Sequence, residues 1–342
     1  MFMKILFISP HSLLGGASIA NQTIARILIK NGHDVIYNDE YFPKENHLGL
    51  KIDHTPYHIS RKKWRKKLIE YVKDNNIQIV LWSPAMTIYY FWQIIKLRKI
   101  GVKNFAVLHS LSLGKNIKAR IIDFVTSITL SFMDTIIFVS RFTLVSWLKF
   151  PAIKISHAKK EIAYNSVTLP DKCEIHHELI GGKIKLGFVG RFSEEKHPDL
   201  FCEISKNTNF ELHAWGDGPL MDVLRKDNPE VTFHGIETDL SIIYGSFDIL
   251  VMTSEFENCP MVILEAKSRG MACVAPNVGG IPEIVNSGED GELYEHFDIQ
   301  EIYKCIEKIA EDYARYSDAC LQRSQVYSID SVSSKWKFLI CD

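Results

Sequence analysis

Arg191 and Lys196 stand five residues apart just after the apolar run KLGFVG (185–190), so two cations lie at the carboxyl end of a buried strand. There they can converge on one anion, arginine as a planar fork and lysine as a point charge, a grip suited to a diphosphate. Farther on, SEFENCPMVILEAKSRG (254–270) sets Glu257 and Glu265 on either side of a helix start. Asn258 suits the N-cap, Pro260 the first turn and Gly270 the left-handed position past Arg269, which predicts a helix over 259–269. Helical side chains lean toward the amino end, so Glu265, about 9 Å along the axis, points back toward the loop carrying Glu257. Carboxylates beside the free amides of a helix start are apt acceptors for hydroxyls of a ligand whose phosphates sit on those amides. A third place is SPHSLLGGASIAN, where Gly15 and Gly16 open a helical pattern running to about Lys30. Glycine there lets backbone N–H groups approach a phosphate; a tight turn is the other reading.

The elements that must position these residues are short β-rich runs alternating with helical patterns, as in a parallel sheet wrapped by helices. Strands are expected at 4–9, 33–38, 77–82, 104–109, 134–140 and 161–165, each nearly continuously apolar as required when both faces are covered. TLPDKCEIHHELIGGK (168–183) has no period and reads as a linker. The rhythm restarts with strands at 185–190, 210–215, 231–235, 248–254 and 272–276. Two α/β domains follow: 1–168, a linker over 169–183, and 184–327, in keeping with 342 residues.

A formal charge of -1 argues against a dedicated nucleic-acid binder, and 46% hydrophobic with 24% charged residues is ordinary globular composition. Pro10 and His11 interrupt the opening apolar run before it could serve as a signal-peptide core. Lys118, Arg120, Asp123, Asp134 and Arg141 break the longest apolar stretch, 117–150, so no spanning helix is expected. All seven cysteines lie in the second half without C-x-x-C spacing, which suits reduced thiols in a cytoplasmic protein. Only a Gly15-Gly16 pair stands where dinucleotide binding needs G-x-G-x-x-G, and the P-loop, zincin and nucleophile-elbow patterns are missing. Cys173, His176 and His177 lack a fourth ligand of fitting spacing, so no metal is expected.

Taken together, GG after the first strand, GRFSEEK, WGDGPL, ENCPMVILEA and NVGGIPEIV resemble, in order and spacing, the retaining nucleotide-sugar-dependent glycosyltransferases of the GT-B fold, in family four (glycosyl transferases group 1), which includes bacterial lipopolysaccharide and capsule transferases. The resemblance implies two Rossmann-like domains facing each other across a cleft that forms the active site, with the closing segment around Trp336 and Phe338 (328–342) packing back on the first domain. It implies that Arg191 and Lys196 hold the donor diphosphate, completed by the amides near Asn258 to Met261, a stretch that includes Cys259 and Pro260, and by Gly15 and Gly16. Glu265 would take the ribose hydroxyls and Glu257 a hydroxyl of the transferred sugar. His109, ending NFAVLHS, matches the family histidine near the reacting sugar, where the family often has an acid next and this chain has Ser110. Asp217 lies in the loop near the base, with a turn role as the other reading.

No cofactor is implied beyond a UDP- or GDP-sugar substrate. The expected activity is hexosyl transfer to a carbohydrate or lipid-linked acceptor in bacterial surface polysaccharide or glycolipid synthesis. A GT-B-fold sugar-nucleotide epimerase and a non-catalytic sugar-nucleotide binding protein are the alternatives. Arg61, Lys62, Lys63, Trp64, Arg65, Lys66 and Lys67 form a basic run around one indole, suited to an anionic membrane surface or to a solvated helix face. The expected location is therefore cytoplasmic, with a peripheral position on the inner face of the membrane.

Overall fold

A computed structural model describes residues 2–9, 15–38, 51–52, 61–110, 117–170, 179, 182–207 and 209–341. Two compact units emerge: Met1–Asn165 together with Ile329–Asp342, and Ser166–Ser328. Cys173, His176, His177 and most of the expected linker lie outside the described residues.

The first unit is built on strands β1 (Lys4–Ile8), β2 (Asp34–Asn38), β3 (Lys51–Ile52), β4 (Ile79–Trp82), β5 (Lys103–Leu108), β6 (Thr135–Phe138) and β7 (Lys159–Ile162). They form one parallel sheet in the order β3-β2-β1-β4-β5-β6-β7. Ile5 pairs with Val35 on one side and Ile79 on the other. The chain thus runs outward from β1, then crosses back to β4, and the order reverses at the β1/β4 boundary, where open α/β sheets bind ligands.

One sheet face is covered by the helices Gly16–Lys30 and Ile329–Cys341, which pack on each other. Trp336 of the closing helix is buried. Ser333 and Asn31 exchange hydrogen bonds, with Asn31 Nδ2 donating to the Ser333 carbonyl at 3.0 Å and Ser333 Oγ to Asn31 Oδ1 at 2.6 Å. Phe338, by contrast, is exposed. It falls two residues past Trp336 and so leaves the buried stripe of the helix.

The helices Arg61–Asp74, Phe91–Lys99, Ile117–Leu130, Arg141–Trp147 and Pro151–Ile155 bury Trp64, Leu68, Ile94, Leu97, Leu130, Trp147 and Ile153 in one core with β-strand side chains. The expectation for Trp64 is corrected here. Trp64, Leu68 and Val72 recur every fourth residue on the sheet-facing side of their helix, and the Trp64 ring meets Tyr71 at 5.2 Å, so the indole is core and reaches no membrane. Lys62, Lys63, Lys66 and Lys67 point to solvent.

The second unit contains β8 (Ile184–Val189), β9 (Phe210–Trp215), β10 (Val231–Gly235), β11 (Ile249–Val251), β12 (Cys273–Pro276) and β13 (Gly291–Tyr294), all parallel, in the order β10-β9-β8-β11-β12-β13. Its order reverses between β8 and β11. The expected helix over 259–269 is shorter, Met261–Lys267, and its N-cap is Pro260 rather than Asn258, with no side-chain cap. Pro260 in extended backbone delays helix entry by two residues, while Gly270 does take positive φ (75°) past the end.

Candidate functional site

In the second unit, the loops after β8, β9, β11 and β12 gather the residues singled out in the sequence. Arg191 follows β8 directly and is exposed. Lys196 ends a single 3-10 turn, Glu194–Lys196, and its ammonium forms a salt bridge with Glu257 Oε1 from the loop after β11. An ammonium has three donors, so this contact leaves Lys196 able to reach a phosphate oxygen as well. Lys196 and Glu257, expected to meet a diphosphate and a sugar hydroxyl, are therefore neighbours.

This loop is held by Thr253, which no sequence motif marks. His197 sits in left-handed backbone (φ 43°), uncommon for a residue with a side chain. The Thr253 hydroxyl lies 2.8 Å from the carbonyls of both Lys196 and His197 and braces that turn from below. A threonine two residues past an apolar strand gave no signal in the sequence, because its partners arrive from another strand.

Two glycines allow the loops to meet. Gly216 has φ 126°, and a Cβ there would fall 1.9 Å from the Gly190 carbonyl oxygen. Gly279 has φ 61°, and a Cβ would fall 1.9 Å from the Glu257 carbonyl oxygen, which also accepts the Gly280 N–H at 2.9 Å. The NVGG motif thus acts on Glu257 through its backbone. Asp217 is exposed and its carboxylate accepts its neighbour's N–H, Gly218 N, at 2.7 Å, the arrangement of a turn-former.

Glu265 lies four residues into the helix, about 6 Å along its axis. It is only 5% exposed, and Tyr244 Oη donates to Oε2 at 2.8 Å. Burial pushes its carboxyl above the usual range, opposed by the Tyr244 bond and by the Arg269 charge. Arg269 itself stacks over the Tyr244 ring at 5.2 Å. A carboxylate has about four acceptor positions, so Tyr244 occupies one and capacity for ligand hydroxyls remains. Cys259, Pro260 and Met261 are buried at the helix entry.

In the first unit, Gly15 caps the helix Gly16–Lys30 in extended backbone, and the space beside Gly16 is open. Residues 10–14 of the same loop lie outside the described ones. His109 follows β5. Its Nε2 lies 2.7 Å from Asn21 Oδ1, and since an amide oxygen only accepts, Nε2 carries the proton and Nδ1 is the acceptor nitrogen. Asn21 Nδ2 in turn reaches Ser9 Oγ (3.4 Å) and Ser83 Oγ (3.3 Å), so one buried amide ties together the carboxyl ends of β1, β4 and β5. Asn21, one helical turn into a pattern otherwise rich in Ala and Ile, was not singled out in the sequence.

Burial lowers His109 to about 4, so the ring is neutral near pH 7. Because its folded value lies below the unfolded one of about 6.5, the unfolded chain binds more protons, and folding stability falls as pH drops from about 6.5 toward 4. We expect His109→Gln to reduce the stability lost between pH 7 and pH 5 by about 2 kcal/mol, read as a smaller drop in melting temperature than wild type shows. An identical drop in both proteins would contradict the buried neutral imidazole.

Residues 183–312 match the family model described as glycosyl transferases group 1. The chain has the GT-B fold of two Rossmann-like domains. A GDP-mannose-dependent alpha-mannosyltransferase of Corynebacterium glutamicum is 31% identical over 142 residues, 41% of this chain and 34% of that protein. The O-antigen biosynthesis glycosyltransferase WbnH of Escherichia coli is 30% identical over 192 residues, 55% of this chain and 54% of that protein. The matched stretches thus span about half the length of these curated relatives, or less. Among solved structures, sucrose-phosphate synthase from Thermosynechococcus elongatus superposes with a TM-score of 0.80 at 16% identity, covering 99% of this chain and 98% of that one. HepE of Anabaena, in complex with UDP and glucose, superposes with a TM-score of 0.78 at 16% identity, covering 99% of each chain.

Proposed function

We propose that the protein is a retaining glycosyltransferase that moves a hexose from a nucleoside-diphosphate sugar to an acceptor hydroxyl in bacterial surface polysaccharide or glycolipid synthesis. The observation that carries this reading is the Lys196–Glu257 contact at the carboxyl edge of the second sheet, inside the segment that matches the family model. The names of relatives support the donor class, GDP-mannose in one and UDP-galactose in another, as does UDP in the HepE complexes.

In this reading Arg191 and Lys196 neutralise the diphosphate as the glycosidic bond breaks, which is the electrostatic term that usually dominates such catalysis. Glu265 accepts from the ribose hydroxyls. Glu257, already anchored on Lys196, accepts from a hydroxyl of the departing sugar and so fixes its position relative to the phosphate. The amides of Asn258, Cys259 and Met261 add donors to the phosphate site, Pro260 having no N–H. No side chain is assigned as a covalent nucleophile. His109, neutral and held in one tautomer by Asn21, takes the place of the family histidine near the reacting sugar.

The test is to incubate the protein with radiolabelled UDP- and GDP-sugars, with and without candidate glycan and lipid-linked acceptors, and to assign the new anomeric linkage by NMR. Transfer with retention, dependent on acceptor, is expected. Interconversion of the donor without acceptor would identify an epimerase, and donor binding with neither reaction would identify a binding protein.

A further inference from the structure

The helix Ile117–Leu130 is amphipathic in the inverted sense. Its buried side consists of Thr126, Ser127, Thr129 and Leu130, with the hydroxyls satisfied locally: Ser127 Oγ donates to the Phe124 carbonyl at 2.7 Å, and Thr129 Oγ1 to the Thr126 carbonyl at 2.8 Å. The Thr129 hydroxyl also meets the Thr87 hydroxyl at 2.7 Å. Ile117, Ile121, Phe124, Val125 and Ile128, spaced three and four apart, form a stripe on the opposite side and are exposed, Ile117 at 77%. A surface helix of a soluble protein carries its apolar stripe inward, and an outward one of this size marks an interaction face.

The surroundings say what that face meets. Trp92, 69% exposed, touches Phe91, and Phe91 packs edge-on against Phe132 just beyond the stripe. Arg65 Nη1 donates to the Tyr89 carbonyl at 3.0 Å, which joins the basic helix Arg61–Asp74 to the exposed Tyr89 and hence to the same surface. Five helices on this side of the first unit's sheet carry fourteen lysines and arginines against Glu70, Asp74 and Asp123 alone, and a short sixth, Pro84–Thr87, carries no charge, in a chain whose formal charge is -1. A protein partner of matching shape would be met by paired charges of both signs. Exposed apolar side chains bordered by tryptophan, tyrosine and an excess of lysine are instead the composition of the interface of an anionic bilayer.

We propose that this helix layer is a membrane-docking face, in which Ile117, Ile121, Phe124, Val125 and Ile128 enter the acyl boundary of an anionic lipid leaflet, Trp92 sits at headgroup depth, and Lys62, Lys63, Lys66 and Lys67 hold the lipid charge. The face does not depend on the transfer chemistry, so its test needs no sugar nucleotide.

Trp92 reports on it directly. The chain has six tryptophans, and Trp64, Trp82, Trp147, Trp215 and Trp336 are buried. With vesicles of equimolar phosphatidylcholine and phosphatidylglycerol at low salt, the full chain should co-sediment and its emission should shift to the blue; Trp92→Phe should co-sediment without the shift. Ile121→Glu combined with Phe124→Glu should reduce partitioning roughly a hundredfold or more, and Lys62, Lys63, Lys66 and Lys67 all changed to Gln by a similar factor. Because all these positions face solvent, the variants should melt no lower than wild type. The proposal is overturned if wild type ignores the anionic vesicles, if the Glu variant binds them as well as wild type, or if wild type is a dimer that the Glu variant dissolves while vesicles bind neither.

Discussion

Arg191→Ala combined with Lys196→Ala should reduce sugar transfer by about a thousandfold or more, with most of the loss in kcat. Loss of one preorganised donor at a developing negative charge typically costs 100- to 1,000-fold, and two cations sharing one diphosphate do not replace each other fully. The folded state should tolerate the change. Arg191 is exposed, and Lys196, although paired with Glu257, lies in a turn braced by its backbone carbonyl on Thr253 rather than by its side chain. Single-turnover kinetics on the double variant checks the expectation, and a rise in KM with kcat preserved would contradict it.

The two carboxylates should separate by ligand. A hydrogen bond to a charged group is worth roughly 1.5–3 kcal/mol, so losing one changes binding about ten- to a hundredfold. Glu265→Gln should weaken the free nucleoside diphosphate and the full donor alike, whereas Glu257→Gln should spare the nucleoside diphosphate and weaken the sugar nucleotide or slow transfer. Glu265 offers a second, independent reading. Its carboxyl is raised chiefly by burial, so its charged form is disfavoured in the folded state, and stability is lost as pH rises from the ordinary carboxylate value through the raised one. The amide of Gln keeps an acceptor for Tyr244 without that cost. Glu265→Gln should therefore melt at or above the wild-type temperature while binding nucleotide worse, the pattern of a residue kept for function. Equal losses of free nucleotide in both variants, measured by calorimetry, would remove the division of labour.

What the sequence disclosed follows from how local each signal is. The strands at 210–215 and 231–235 coincide with β9 and β10, because short alternating runs of apolar and polar residues that stop at Gly216 and Gly235 state their own limits. The strand β13, GELY, escaped notice because Gly291 and Glu292 hide it. Glu292 is buried there, taking a hydrogen bond from Tyr316 and one from Ser287 at 3.2 Å, and those partners come from elsewhere in the chain. The site divides the same way. Arg191, Lys196, Glu257 and Glu265 stand in motifs, whereas Thr253, Tyr244 and Asn21 act by reaching across the fold to a turn, a carboxylate and an imidazole. Trp64 erred in the opposite direction: a local reading of six basic residues around one indole missed the four-residue period that turns the ring inward.

The proposed nucleoside-diphosphate grip in the second unit is tested most directly by a melting-temperature panel of nucleoside diphosphates and sugar nucleotides. A ligand at a hundred times its dissociation constant stabilises the fold by about 2.7 kcal/mol. For a unit of this size that raises melting by roughly 5–10 °C. At least one UDP or GDP ligand should produce this shift in wild type and lose it in the Arg191→Ala, Lys196→Ala protein. No shift with any member of the panel, or an equal shift in wild type and the double variant, would contradict the account.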